Sequence, residues 1–197
     1  MTRAHAVVAA LLAFVVTAGC GYHFAGSGRT FAPELRTLGV EALVNDTREF
    51  GLEKRIALAL EREFAMRGPL RIAASPSEGD LVLSGRIREA EDRPVAFNRN
   101  DEVLVYHTVV ALDLDLRRRD TGDILWQARG VRATGDYETV ASVIVTTSSE
   151  FRSSTLNAED LGGFTDIQLA ESRRREMMER MVTGLARDVY DQIMEEF

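Results

Sequence analysis

Apolar and polar residues alternate from Thr37 to Val44, with Leu38, Val40, Ala42 and Val44 on one side. A period of two marks a strand with one buried face. Asn45-Asp46-Thr47 interrupt it and supply helix N-cap candidates, and the Asp46 to Glu49 spacing is compatible with a variant capping box. The period then changes. Leu52, Ile56, Leu60 and Phe64 recur every four residues and line one helix face. Glu63 and Arg67 stand at i,i+4 in the favourable order, and Gly68-Pro69 end the helix.

A second strand is predicted over Asp80 to Glu89, with Leu81, Leu83 and Ile87 on one side. Strand, crossover helix and strand together suggest a right-handed βαβ unit. Glu91 to Asp101, which contains Pro94, is expected to be a polar loop. Val103 to Arg117 carry the strongest alternation, with Leu104, Tyr106, Val110, Leu112, Leu114 and Leu116 facing one way and Asp113, Asp115 and Arg117 the other. Asp120-Thr121-Gly122-Asp123 form a turn, after which Ile124 to Asp136 return as the hairpin partner.

Beyond Tyr137 the pattern weakens. Residues 138–165 mix the β-branched run Val143-Ile144-Val145-Thr146-Thr147 with serine-rich and glycine-rich pieces, and are expected to form a flexible excursion. A long helix is expected from about Asp166, with Met181, Leu185, Val189, Ile193 and Phe197 on one face and Met178 and Val182 widening the stripe. At full length it reaches roughly 45 Å. The expected fold class is α/β, an α+β two-layer sandwich in which a four-stranded mixed sheet carries two helices on one face.

The N-terminus has a different character. Met1 to His5 carry one basic residue, Arg3, and Ala6 to Val16 are eleven consecutive apolar residues. That run is too short to cross a bilayer, which takes about 20 residues, but it suits the apolar region of a signal peptide. Thr17-Ala18-Gly19-Cys20 follow, and small residues before a cysteine resemble the lipobox of bacterial lipoproteins, although Thr17 stands where Leu is usual. The resemblance implies cleavage after residue 19 and a lipid on Cys20. With Cys20 the one cysteine of the chain, there is no disulfide to form in an oxidising compartment. More than one acyl chain is needed for stable anchoring. Gly21, rather than Asp, follows the cysteine, as in lipoproteins sorted to the outer membrane. The expected organisation is a cleaved signal peptide over 1–19, a lipidated tether over 20–36 and a single domain over 37–197.

Removing residues 1–19 from 197 leaves 178, within the range of one domain, and 45% hydrophobic residues suffice for a core. The net charge of -7 argues against a nucleic-acid binder, which would carry a basic stripe. Catalytic chemistry finds little support. His23 lies in the tether and His107 in mid-strand, neither beside a nucleophile motif, so no triad is suggested. Asp113 and Asp115 alternate on one strand face, but a solvent-facing strand explains them more simply than paired catalytic carboxylates. The scattered histidines lack metal-ligand spacing, and Gly26-Ser27-Gly28 lacks the lysine of a phosphate loop. No enzyme, no metal and no cofactor beyond the covalent lipid are expected.

Arginines are the remaining candidates. Arg93 and Arg99 fall in the predicted loop before the long strand, with Arg86 and Arg88 leading into it. Guanidinium groups pair bidentately with phosphate oxygens, although Glu91, Asp92, Asp101 and Glu102 dilute the patch. Arg173-Arg174-Arg175 are expected to be a solvated face or a contact with an acidic partner wall.

Ala18-Gly19-Cys20-Gly21-Tyr22-His23-Phe24 resemble the start of the LptE lipoprotein family. Asp80 to Ile87, the segment Thr121 to Trp126 and the order strand, helix, three strands, long helix are similar as well. The resemblance implies an outer-membrane lipoprotein that sits as a plug in the LptD β-barrel, helps it assemble and assists lipopolysaccharide insertion into the outer leaflet. It further implies that Arg99, seven residues before Tyr106, contacts lipopolysaccharide, with Arg93 a second candidate. A basic residue that some members carry before the last helix is Glu171 here. The competing reading is an adaptor lipoprotein of another envelope transport or secretion complex. An apolar outer rim on the sheet's exposed face would favour the plug over the adaptor.

Overall fold

The computed structural model describes residues 31–139 and 158–197, the side chains of 158–166 excepted. In chain order come β1 (Thr37–Val40), β2 (Val44–Asn45), helix α1 (Leu52–Arg67), β3 (Arg71–Ile72), a 3-10 turn (Pro76–Glu78), β4 (Leu81–Phe97), β5 (Val103–Arg118), β6 (Ile124–Glu138) and helix α2 (Ala158–Glu196). The sheet order is β3-β1-β4-β5-β6, with β2 also paired to β4. Strands β1, β2 and β3 pair in parallel, and β4-β5-β6 form an antiparallel meander. The mixed sheet and two helices agree with the sequence pattern, but the sheet has six strands instead of four. The two extra strands, β2 and β3, are two residues each. Two residues are too few to show a period, so only pairing makes them strands.

The first predicted strand also divides. Leu38 and Val40 are buried as expected, but Leu43 then takes the inward position and Val44 is exposed. The break between β1 and β2 shifts the phase by one residue. Helix α1 starts at Leu52 behind Gly51, whose φ of 83° lies in the left-handed region, and no side chain caps it. The expected capping box is therefore not formed, because Asp46 lies too far upstream. Asn45 organises the connection instead: its amide donates to the Glu49 carbonyl and to Glu53 Oε2, and its oxygen accepts from Thr47 N. Leu52, Ile56, Leu60 and Phe64 are wholly buried, and the Arg67–Glu63 pair forms at 2.8 Å.

Helix α2 begins eight residues before the predicted start and spans 39 residues, roughly 58 Å. Its stripe of Met178, Met181, Val182, Leu185, Val189 and Ile193 is buried in one cluster with α1 and the inner sheet residues Leu81, Leu83, Ile87, Leu112, Leu114 and Leu116. Both helices thus cover one sheet face. Phe31 and Leu35, at the domain end of the expected tether, join that core, and Phe31 stacks on Phe197 at 4.3 Å.

The largest departure is β4. Residues 91–97 are strand, paired with Val103 to Val109. Pro94 sits at a register shift, on a stretch of β4 whose other side has no neighbouring strand among the described residues, so its missing N–H costs no ladder bond there. Polar side chains are tolerated there because Glu91 and Arg93 point to solvent and Asp92 is hydrogen-bonded by Thr108 and Arg174.

Asp80 ties β1 to β4. Its Oδ2 accepts from the N–H of Arg36, the N–H of Thr37 and the Thr37 hydroxyl at 2.8–3.0 Å. The Arg36 amide and then the Thr37 hydroxyl hold its carboxyl below the usual range. A lowered folded-state pKa contributes stability above the unfolded value, near 4, that is lost as pH falls through the folded value. Asp80→Asn should cost about 1 kcal/mol at neutral pH. In urea titrations the loss should shrink on acidification below about pH 4.

Candidate ligand and partner surfaces

The β4–β5 hairpin carries the predicted anion contacts at its far end. Its turn is built by Asn98: the backbone N–H donates to the Glu102 carbonyl at 2.9 Å, and the side-chain oxygen accepts from Asn100 N and Glu102 N at 2.8 and 3.0 Å. Asp101 completes the turn at φ 60°, a conformation tolerated by aspartate. Arg99 stands at this tip, exposed, and has no ion-pair partner among the described residues. Val95 and Phe97 beside it are more than half exposed. The tip therefore presents a free guanidinium next to two apolar side chains.

Arg93 is placed differently. It lies within β4 rather than on a loop, and its guanidinium is held by Glu89 at 2.6 Å and Glu91 at 3.1 Å. The structure does not bring it together with Arg99. Tyr106 is three residues along β5 from Val103, roughly 10 Å from the turn, and stacks on Tyr137 at 5.3 Å. Glu171 pairs with Arg175 at 3.1 Å. Cys20, the signal peptide and the run Val143–Thr147 lie outside the described residues.

Of the three adjacent arginines, only Arg175 matches the solvated reading. Arg174 turns inward and bonds Glu49 Oε2 at 2.6 Å and Asp92 Oδ2 at 2.8 Å. Asp92 also accepts from Thr108 Oγ1 at 2.6 Å and Tyr137 OH at 3.3 Å. The Glu49 carboxylate, and Asp92 after it, raise the Arg174 pKa. Burial, reinforced by the Asp92 charge, pushes the Tyr137 phenol up to about 12. This node joins five elements: the loop before α1, β4, β5, β6 and α2. Glu49 and Arg174 are 125 residues apart, and no local pattern signals such a pairing.

The outer sheet face, opposite the helices, carries a ladder of charged side chains. Arg86 bonds Asp46 at 2.8 Å, and Arg88 contacts Asp46 and Asp113 at 3.4 and 3.3 Å. Asp115 lies between Arg129 at 2.8 Å and Arg117 at 3.3 Å, and Asp113 accepts from Gly130 N at 2.9 Å. The Arg86 hydrogen bond holds the Asp46 carboxyl below its ordinary value. Asp113 and Asp115 are thus members of an ion-pair ladder. A shallow groove of about 390 Å³ runs over this ladder, with Ser84 and Val44 in its lining. Among the described residues this face presents ion pairs rather than the apolar outer rim that would have favoured a plug. That criterion neglected a physical point: a membrane barrel is apolar outside and polar within.

No group of three metal-ligating side chains occurs among the described residues. No described helix is long and apolar enough to cross a membrane.

Comparison with known proteins places these surfaces in context. The family model described as LptE, lipopolysaccharide-assembly, matches residues 35–193. No curated protein matches the chain in sequence. Among solved structures, a minor lipoprotein from Acinetobacter baumannii aligns with a TM-score of 0.45 at 13% identity, covering 81% of this chain and 93% of its own. A lipoprotein from Caulobacter crescentus aligns with a TM-score of 0.44 at 11% identity, covering 78% and 88%.

Proposed function

Because the chain belongs to the LptE lipopolysaccharide-assembly family, we propose that it is an outer-membrane lipoprotein, anchored through Cys20, that plugs an LptD-type β-barrel. In this role it supports assembly of the barrel and assists lipopolysaccharide insertion into the outer leaflet. The observation that carries the reading is the charged sheet face. Its arginines and aspartates are already paired with one another, so it can lie in a polar, hydrated lumen without leaving a charge unmatched. The protein acts by binding and positioning rather than by catalysis.

The hairpin tip supplies the contact with lipopolysaccharide. Arg99 is free to pair with a phosphate, and Phe97 and Val95 offer apolar surface to the acyl part of the same molecule. Arg93, engaged by Glu89 and Glu91, would contribute only after those pairs open. Arg99→Glu should weaken binding of purified lipopolysaccharide about tenfold, as read by fluorescence titration. Arg93→Gln should change it by less than about twofold.

The test of the plug reading is affinity capture from detergent-solubilised outer membrane with a C-terminally tagged chain. One large β-barrel at near one-to-one stoichiometry is the expected outcome. Recovery of inner-membrane transporter subunits, with no barrel, would overturn it and leave the adaptor reading in its place.

A further inference from the structure

Strand β6 ends the sheet, and its outer edge has no neighbouring strand among the described elements. The phase of that edge follows from its bonds to β5. Thr139 N donates to the Leu104 carbonyl at 2.9 Å. In the register Tyr106 with Tyr137, Thr108 with Gly135 and Val110 with Ala133, the odd-numbered residues of β6 therefore spend their backbone groups on β5. The even-numbered residues Arg132, Thr134, Asp136 and Glu138 turn their N–H and C=O groups to the open side, and their side chains are exposed, Arg132 lying 3.7 Å from Glu89 and Asp136 2.6 Å from His107 Nδ1.

Both ends of this edge are closed. At one end the Glu138 carbonyl accepts from Arg173 Nη1 at 3.3 Å. At the other, the bulge at Gly130, φ 64°, turns its N–H inward to Asp113 and breaks the phase of the open edge. Bulges and charged side chains of this kind discourage strand pairing. What stays open is a short window from Arg132 to Asp136, with Thr134 at its centre. A groove of about 480 Å³ runs beside it, bordered on α2 by Arg180, Gly184 and Asp188. A Cβ at Gly184 would meet nothing, so the helix leaves room there.

We propose that the free chain self-associates through this window, two β6 strands pairing antiparallel about a two-fold axis at Thr134. The charges select a second copy over an arbitrary strand. Centring on Thr134 sets Arg132 opposite Asp136 of the second copy, twice by symmetry, and Thr134 opposite itself. Sliding the centre to residue 132 or 136 would oppose like charges. Opposite charges and paired threonines are favourable cross-strand neighbours, and like charges are not. The centred register also keeps even residues opposite even residues, so three pairs exchange about six backbone hydrogen bonds. The inference does not rest on the barrel reading. It concerns the chain before or without a barrel partner.

The test uses the purified full chain in detergent. Sedimentation should show a reversible monomer–dimer equilibrium. Arg132→Asp and Asp136→Arg, each converting both attractive pairs to repulsive ones, should weaken it about tenfold, and the double variant should restore it. Thr134→Cys should form a covalent dimer under mild oxidation, since directly opposed Cα atoms in such a pair are about 5.5 Å apart, within disulfide reach. Thr121→Cys, in the exposed β5–β6 turn, should not. A monomer at all accessible concentrations, association indifferent to the charge reversals, or equal cross-linking at 134 and 121 would each overturn the proposal. So would reversals that lower barrel capture instead of self-association, and that outcome would leave the plug reading standing. The expected dimer behaviour with no barrel captured would do the reverse.

Discussion

Arg174→Met is expected to destabilise the protein by about 2 kcal/mol, below the range for breaking a fully buried ion pair because the three groups are part-buried. The substitution keeps much of the side-chain volume and removes the charge shared by Glu49 and Asp92. Both carboxylates are about three-quarters shielded from solvent and stand 2.6 and 2.8 Å from the guanidinium. Without it, two acidic groups would be left facing each other in a site that water reaches poorly. Asp92 keeps bonds from Thr108 and Tyr137, and Glu49 loses its ion-pair partner, so the loop before α1 should loosen first. Urea denaturation reads the global loss, and hydrogen exchange over residues 46–51 reads the local one. Adding Glu49→Gln and Asp92→Asn to Arg174→Met should recover about half of the loss, because the orphaned charges go with the pair. Arg175→Met is the control. Its only partner among the described residues is Glu171 on an exposed helix turn, and the change should stay within about 0.5 kcal/mol. An equal loss in the two variants would refute the node as a structural lock.

Phe64→Ala should cost about 4 kcal/mol. Phe64 is fully buried where α1 meets α2, with its ring edge-on to Tyr190 at 5.1 Å. Tyr190 in turn donates to the Arg67 carbonyl at 2.9 Å, and the Arg67 guanidinium lies 4.6 Å over its ring. Truncation therefore empties a cavity and loosens the contact that fixes the end of α1 against the long helix. The neighbours cannot collapse into the space, because Leu60 and Val189 are already packed at zero exposure. Phe50→Ala provides the contrast. That ring is 94% exposed, and its loss should fall within about 0.5 kcal/mol. Thermal denaturation of the two variants side by side checks the prediction, and similar melting temperatures would contradict the packing described.

The sheet and helices were legible wherever burial imposes a period over many residues. Leu52, Ile56, Leu60 and Phe64 had to share a helix face, and Leu112, Leu114 and Leu116 had to share a strand face, because one side of each element faces the core. Where that constraint lapses, the reading failed. Residues 91–97 hold polar side chains and a proline because they lie on the extended end of a hairpin, and only their pairing to β5 makes them strand. Val44 and Arg71 belong to two-residue strands created by a neighbour. The charged face was half visible: Asp113, Asp115 and Arg117 alternate in the sequence, but Arg88 and Arg129, which pair with the two aspartates, come from β4 and β6.

Among the site residues, the family resemblance singled out Arg99, with Arg93 a second candidate; the fold left Arg99 free at the turn and engaged Arg93 with Glu89 and Glu91. The sequence by itself determined the two helices, the long strands and their core stripes, because each depends on residues close together in the chain. Tertiary structure alone decided which arginines are spent and which are free, and where the sheet keeps an open edge. Charges find partners across space, and strands find theirs by register; Arg174 reaches a carboxylate 125 residues away because α2 crosses the loop that precedes α1.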